Sequence, residues 1–327
     1  MHSPILQPRD IALLRDLFES RIMTTAHVAA LHFNNRKEAT KKRLQTLKAA
    51  KLIAERPRRA YEPAILFLTQ AGLAVLDKQG ILAEYPPFPI PTLLRRAHVS
   101  EVTVRHELSV MDVKAAITSA IRGTTNLSVH EFTTWPHLIQ FGTRIARVRA
   151  TSQTVKPDGF FRVIEQTAGD EQSTHAFFIE IDRSTETQET LANRAACYVE
   201  HYRSGSFAVR NGARTAAYRE YPFRVLFILK TAERRNNMVE HLLRATPPIL
   251  SHVWVTTQDE ITTRPLGSIW LRPIDYRAAV LGTPHEVTRD RPLHAYRRNV
   301  LREQFIENRV RKHRLFEDIG DAHRQAA

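Results

Sequence analysis

The chain has 327 residues, 43% of them hydrophobic and 25% charged, with a formal net charge of +14 and one cysteine. That length gives room for two domains, each with its own core. Lone Cys197 excludes an internal disulfide and a cysteine-built zinc site, and a positive excess of this size points to a polyanionic partner, nucleic acid above all.

No apolar run reaches the roughly 18 residues that span a bilayer, and Met1-His2-Ser3-Pro4 has neither the basic nor the apolar region of a signal peptide. A cytoplasmic chain with no membrane partner is expected. Residues 8–20 place Ile11, Leu14, Leu17 and Phe18 on one helical face, with Pro8 and Asp10 suited to its start. Thr24 or Thr25 caps a second helix through Val28, Ala29 and Leu31. Asn35 followed by Glu38 is a capping-box pattern that opens a third, from Arg36 to Ala50, with Leu44 and Leu47 inward. Residues 52–55 and 64–68 read as strands on either side of Arg56-Pro57-Arg58-Arg59, and Thr69 caps a helix from Gln70 to Lys78. Residues 1–79 are therefore expected to form a winged helix-turn-helix.

Residues 36–60 hold ten Lys or Arg against Glu38 and Glu55, a balance of +8 on the third helix and the wing, the two elements such a fold presents to DNA. A solvated helix face is the plain alternative. The expected DNA-contacting set is Asn35, Arg36, Lys37, Thr40, Lys41, Lys42, Arg43, Lys48, Arg56, Arg58 and Arg59, with Asn35, Arg36, Thr40 and Arg43 as candidates for base edges.

Residues 80–97, with Pro86, Pro87, Pro89 and Pro91, read as a stiff linker. An α/β domain with a mixed sheet is expected over 98–275. It begins with a helix from His98 to Arg122, on or near whose buried face lies Glu107, either a core acid paired with Arg or a further metal or orienting ligand. His98, His106 and Asp112 share that helix without the i, i+4 histidine spacing of a zinc helix. Strands are expected at 127–133, 160–164, 177–182, 223–229 and 253–256, and helices at 187–202 and 232–245. The stretch from Arg144 to Lys156, with Arg147 and Arg149, reads as a loop or an irregular hairpin. Residues 276–327 form an Arg-rich helical tail (Arg297, Arg298, Arg302, Arg309, Arg311, Lys312 and Arg314), either solvated or a second DNA-contacting arm.

Two of these strands bring Asp158, Glu180 and Asp182 together, and buried carboxylates need a divalent cation, Arg or Lys, or backbone donors to stay charged. The segments Ile22–Phe33, His106–Val113, Lys156-Pro157-Asp158-Gly159 and Phe178–Glu186, with Arg43-Leu44, Leu47, Phe67-Leu68-Thr69 and Gly72, resemble in order and spacing the replication-relaxation family of plasmid and mobile-element proteins. The resemblance covers residues 8–205. It implies a winged helix-turn-helix fused to a domain similar to the PD-(D/E)xK nuclease core, with roles in plasmid replication, DNA relaxation or mobilisation.

In that nuclease pattern Asp158 and Glu180 match the metal-binding acids, and Asp182 takes the place of the Lys that stabilises developing charge. Asp182 would then be a third ligand for Mg²⁺ or Mn²⁺, with Glu107 in support, and Arg183, Lys156 and Arg194 are the cations that could replace the Lys. Three readings follow: a DNA-binding accessory protein with a nuclease-like platform, an active metal-dependent endonuclease or nickase, and a winged-helix transcriptional regulator that dimerises. Expected partners are double-stranded DNA, a plasmid replication or transfer protein, and a second copy in a homodimer. Cys197, Tyr198 and Tyr202 fall on one predicted helix and are expected to pack rather than to attack a phosphodiester.

Overall fold

The computed structural model describes residues 4–144, 152–166, 172–281, 304 and 307–316. It is a mixed α/β structure that divides into two compact units, one holding the chain up to Thr125 together with Phe132–Ile139, the other Asn126–Glu131 and the chain from Gln140 onward.

In the first unit α1 (Pro8–Ser20), β1 (Met23–Thr24), α2 (Thr25–His32) and α3 (Lys37–Ala49) precede β2 (Ile53–Glu55), β3 (Ile65–Leu68) and α4 (Gln70–Lys78). The strands form an antiparallel sheet in the order β1-β3-β2. Local chemistry sets the helix starts. Asp10 accepts the Gln7 amide at 2.7 Å, Thr24 accepts that of His27 at 3.2 Å, and Thr69 that of Gly72 at 3.2 Å. The start of α3 differs from the capping box expected of Asn35 and Glu38. Arg36 is the cap residue and makes no side-chain cap bond, while Asn34 and Asn35 take left-handed φ values of 50° and 61°. Asparagine tolerates that conformation, so the pair turns the chain instead of capping it.

The stretch 80–97 is packed, not a linker. A 3-10 turn at Ile81–Glu84 leads through Tyr85 to α5 (Ile90–Arg95), which begins at a Pro. Tyr85 is 6% exposed, donates to Glu19 Oε1 at 2.6 Å and accepts from Arg15 Nε at 3.0 Å. Arg96 donates to the Phe18 and Glu19 carbonyls that end α1 and lies 3.6 Å from the Trp135 ring centre. Proline fixes φ but leaves its neighbours free to bury aromatic and guanidinium groups. Long α6 (Glu101–Arg122) and short α7 (Pro136–Ile139) also belong to this unit, and Met111, Ala115 and Trp135 complete its core.

The second unit is built on a five-stranded mixed sheet in the order β10-β9-β8-β7-β4, formed by β4 (Leu127–Thr133), β7 (Gly159–Gln166), β8 (Gln172–Asp182), β9 (Phe223–Leu229) and β10 (Val253–Thr257). Strands β8, β9 and β10 run parallel, and β7 antiparallel to β8. A separate hairpin of β5 (Phe141–Arg144) and β6 (Ser152–Val155) supplies order where a loop or irregular hairpin was expected; Arg147 and Arg149 lie outside the described residues. Helices α8 (Gln188–Arg203), α9 (Ser206–Arg210), α10 (Ala232–Arg244), α11 (Gln258–Thr263) and α12 (Pro273–Leu281) complete the unit.

Strand β9 is buried throughout, as a central parallel strand covered on both faces must be. His201 of α8 stacks on Phe141 at 3.9 Å amid Phe178, Phe207 and Phe223, with neither ring nitrogen hydrogen-bonded among the described residues. Burial, then the Arg210 charge, push its pKa down from 6.5 to about 4. Between these values the unfolded chain binds more protons, so stability is full above pH 6.5 and falls toward pH 4, by on the order of 2 kcal/mol. Urea unfolding across that range should show the loss in the native protein and a flatter profile in His201→Phe.

The expected Arg-rich tail is described only in part. Arg297, Arg298 and Arg302 lie outside the described residues, whereas residues 307–316 return to the second unit. Trp270 and His313 exchange backbone hydrogen bonds at 3.1 and 2.8 Å, His313 Nε2 bonds Asp275 at 2.9 Å, Lys312 donates to Glu260 at 2.6 Å, and Leu315 is fully buried. Arg309, Arg311 and Arg314 are exposed along this segment.

Candidate functional site

On the first unit the expected DNA-contacting residues separate into two groups. Thr40 is fully buried and donates to the Arg36 carbonyl at 2.8 Å, so it cannot read a base. Arg43 clamps buried Asp10 with two nitrogens, one at 2.8 Å, and also donates to the Ile5 carbonyl at 2.9 Å. Lys48 pairs with Glu55, and Arg56 donates to the Ala97 and Val99 carbonyls at 2.9 and 3.3 Å. These four hold the unit together.

Asn35, Arg36, Lys37, Lys41, Lys42, Arg58 and Arg59 are exposed. Arg58 is tied to Glu55 at 2.6 Å and Arg59 to the Tyr61 hydroxyl at 2.8 Å, so the β2–β3 turn presents arginines in fixed positions. Lys37, Lys41 and Lys42 meet no carboxylate among the described residues.

On the second unit β7 and β8 bring the acids to the carboxyl end of β8, since Gly159 is in register with Ile179. Each acid has its own donors. Asp158 Oδ2 accepts the Ile181 amide at 2.7 Å. Glu180, 1% exposed, accepts from Arg194 Nη1 at 2.9 Å and from the Tyr198 hydroxyl at 2.5 Å. Asp182, 5% exposed, takes Arg234 Nη2 at 3.0 Å with Nε on its other oxygen, and the Ser184 amide at 3.1 Å. Arg194 and Arg234 also reach the side chain and carbonyl of Glu186, so Glu186 joins the two arginines into one network.

Burial, then the neighbouring Asp158 carboxylate, raise the Glu180 pKa to about 8, while Arg194 and Tyr198 oppose them. Burial disfavours the charge on Arg194, yet Glu180 and Glu186 more than restore it. The Tyr198 phenol is pushed well above its ordinary value by burial and Glu180. It is a buried donor and not a nucleophile.

Of the three acids expected to hold Mg²⁺ or Mn²⁺, Glu180 and Asp182 are paired with Arg194 and Arg234, and Asp158 accepts a backbone amide. Among the described residues no group of three or more His, Cys, Asp or Glu side chains is placed to hold a metal ion. Carboxylate lone pairs already taken by guanidinium and amide donors do not fit a cation that needs several oxygens. Glu107 belongs to the first unit, where Arg21 lies 3.4 Å from it, the paired-acid alternative of the two expected. Of the cations considered as replacements for the missing Lys, Arg194 reaches Glu180, Lys156 is exposed, and Arg183 makes contacts of its own. Cys197 is buried beside Gln153 Oε1 at 3.4 Å, and burial pushes its thiol up to about 11, an inert state.

Arg234 was missing from the sequence reading, although a signal for it exists. It sits with Arg235 in the first turn of α10, where the helix dipole disfavours cations, so a carboxylate partner is to be expected.

The replication-relaxation family model matches residues 14–216, close to the span on which the resemblance was drawn. The chain belongs to the replication-relaxation family. Searches of curated proteins and of solved structures return no match. Membership supports a role in the replication or relaxation of mobile elements, and the replication-relaxation match takes in both α3 and all three acids. No helix among the described residues is long and apolar enough to cross a membrane.

Proposed function

We propose that this replication-relaxation protein is a double-stranded DNA-binding accessory factor whose first unit acts as a winged helix-turn-helix and whose second unit is a nuclease-like platform that holds DNA without cutting it. The helix order, with α3 followed by the β2–β3 turn, supports the first half. The observation that carries it is the exposure of Lys37, Lys41 and Lys42 on α3 with no carboxylate partner among the described residues. Such ammonium groups suit phosphate contacts, which set affinity and position, and Asn35 and Arg36 are left as base-edge candidates.

The platform reading rests on Arg194 and Arg234, which occupy the oxygens that a hydrolytic metal would need. In a salt titration with a mixed-sequence duplex, Lys37→Ala/Lys41→Ala/Lys42→Ala should lower the slope of log affinity against log salt by about 2–3. An unchanged slope removes α3 from the interface. Arg43 is left intact because its loss would strand Asp10. With supercoiled plasmid and Mg²⁺ or Mn²⁺ no nicking is expected. Metal-dependent nicking that disappears in Asp158→Asn and Glu180→Gln would establish the endonuclease reading instead.

A further inference from the structure

Between His201 and Tyr221 the sequence carries Arg203, Arg210, Arg214 and Arg219 against the single acid Glu220. All four arginines are exposed, and none meets a carboxylate within 4 Å among the described residues. Several other arginines of the second unit do form ion pairs. Arg162 pairs with Glu131 at 3.1 Å, Arg194 with Glu180 at 2.9 Å, Arg235 with Glu260 at 3.1 Å and Arg272 with Asp275 at 2.6 Å. Arg203, Arg214 and Arg219 are therefore a local excess of charge with no ion-pair partner among the described residues.

Arg203, Arg214 and Arg219 share one surface, while Arg210, at the end of α9, donates to the Gln140 carbonyl at 3.3 Å. Gly205, at φ +71°, follows α8 and approaches the 3-10 turn Thr215–Glu220 so closely that a Cβ there would lie 2.4 Å from the Thr215 carbonyl. That contact brings the end of α8, with Arg203, beside Arg214 and Thr215. Ser204, Ser206, Gly212 and Thr215 are exposed between the arginines, so small and hydroxylic positions leave room for close approach. Phe223 opens β9 opposite Ala176, whereas Asp182 lies opposite Leu229. The basic surface thus stands at the end of the sheet away from the acids.

We propose that this corner of the second unit is a phosphate-contacting surface for a DNA duplex, separate from the acid network and additional to α3. The proposal rests on the DNA-binding reading above and names where the platform holds its strand. Unpaired, exposed guanidinium groups fit phosphate oxygens, and they contribute affinity that falls steeply with salt and is blind to sequence.

The test is a salt titration of the full chain on a mixed-sequence duplex. Arg203→Ala/Arg214→Ala/Arg219→Ala should lower the slope by about 2–3, while Arg203→Lys/Arg214→Lys/Arg219→Lys, which keeps the charge, should stay near the native slope. A control, Lys230→Ala/Arg264→Ala/Arg277→Ala, removes the same charge from other exposed positions of the unit and should change the slope by less than one. An unchanged slope in the first variant overturns the proposal, as does an equal fall in the control, which would mark a general charge effect. No salt-dependent DNA binding by the native protein would overturn the DNA-binding reading itself. Loss of slope only on changing Lys37, Lys41 and Lys42 would leave that reading standing and remove this surface.

Discussion

Arg194→Ala should destabilise the second unit by about 3–5 kcal/mol at pH 8.5 and by about 1–2 kcal/mol at pH 5.5, because it strands a buried carboxylate whose charge depends on pH. Burial and Asp158 place the Glu180 pKa near 8, above the ordinary 4.5. The folded state therefore holds an extra proton between these values, and this group makes the native protein less stable as pH rises through them. At pH 5.5 the carboxyl is neutral and needs Arg194 little. At pH 8.5 it is ionised, and Arg194 is the cation that compensates it. Adding Glu180→Gln to Arg194→Ala should recover part of the loss, since a neutral amide can take the Tyr198 hydroxyl without stranding charge. Urea unfolding at the two pH values measures both effects. An Arg194→Ala protein within 0.5 kcal/mol of native at pH 8.5 would show that the pair is not what neutralises Glu180.

Leu315→Ala should cost about 2–4 kcal/mol by urea unfolding, a core-sized loss from a residue near the chain's end. Leu315 is fully buried, and its carbonyl takes a hydrogen bond from Arg224, which stacks 4.3 Å over Trp254 and has no carboxylate within 4 Å among the described residues. A chain ended at residue 303 should lose more. It would also free Arg235 from Glu307, Glu260 from Lys312 and the Trp270 backbone from His313. A shortened chain with native stability would return this segment to the solvated-tail reading.

Much of the fold was legible in the sequence where local signals agreed. Apolar spacing and Thr or Pro caps coincide at α1 and α4, and an unbroken apolar run marks buried β9. The acids, too, were legible as neighbours on paired strands. What could not be read were long-range partners. Thr40 and Arg43 looked like surface residues of a basic helix, yet one is sealed in the core and the other is committed to Asp10, 33 residues away. Asp182 looked like a third metal ligand because nothing local announces that Arg234, 52 residues on, will reach it. The proline-rich stretch looked unpacked because composition reports backbone stiffness, while the contacts of Tyr85 and Arg96 come from α1, some 70 residues earlier.

The path of the chain between the two units limits how this protein can be dissected. Residues 126–131 add an edge strand to the second unit before 132–139 return to the first, where Trp135 stacks on Phe18 at 4.7 Å. A fragment ending at 125 lacks that tryptophan, and one starting at 140 lacks β4, so no single cut yields both units whole. They are interleaved in sequence, which makes them poor candidates for independent expression or for exchange as cassettes. Loss of function in either half-chain would report incomplete folding before it reported the location of a site.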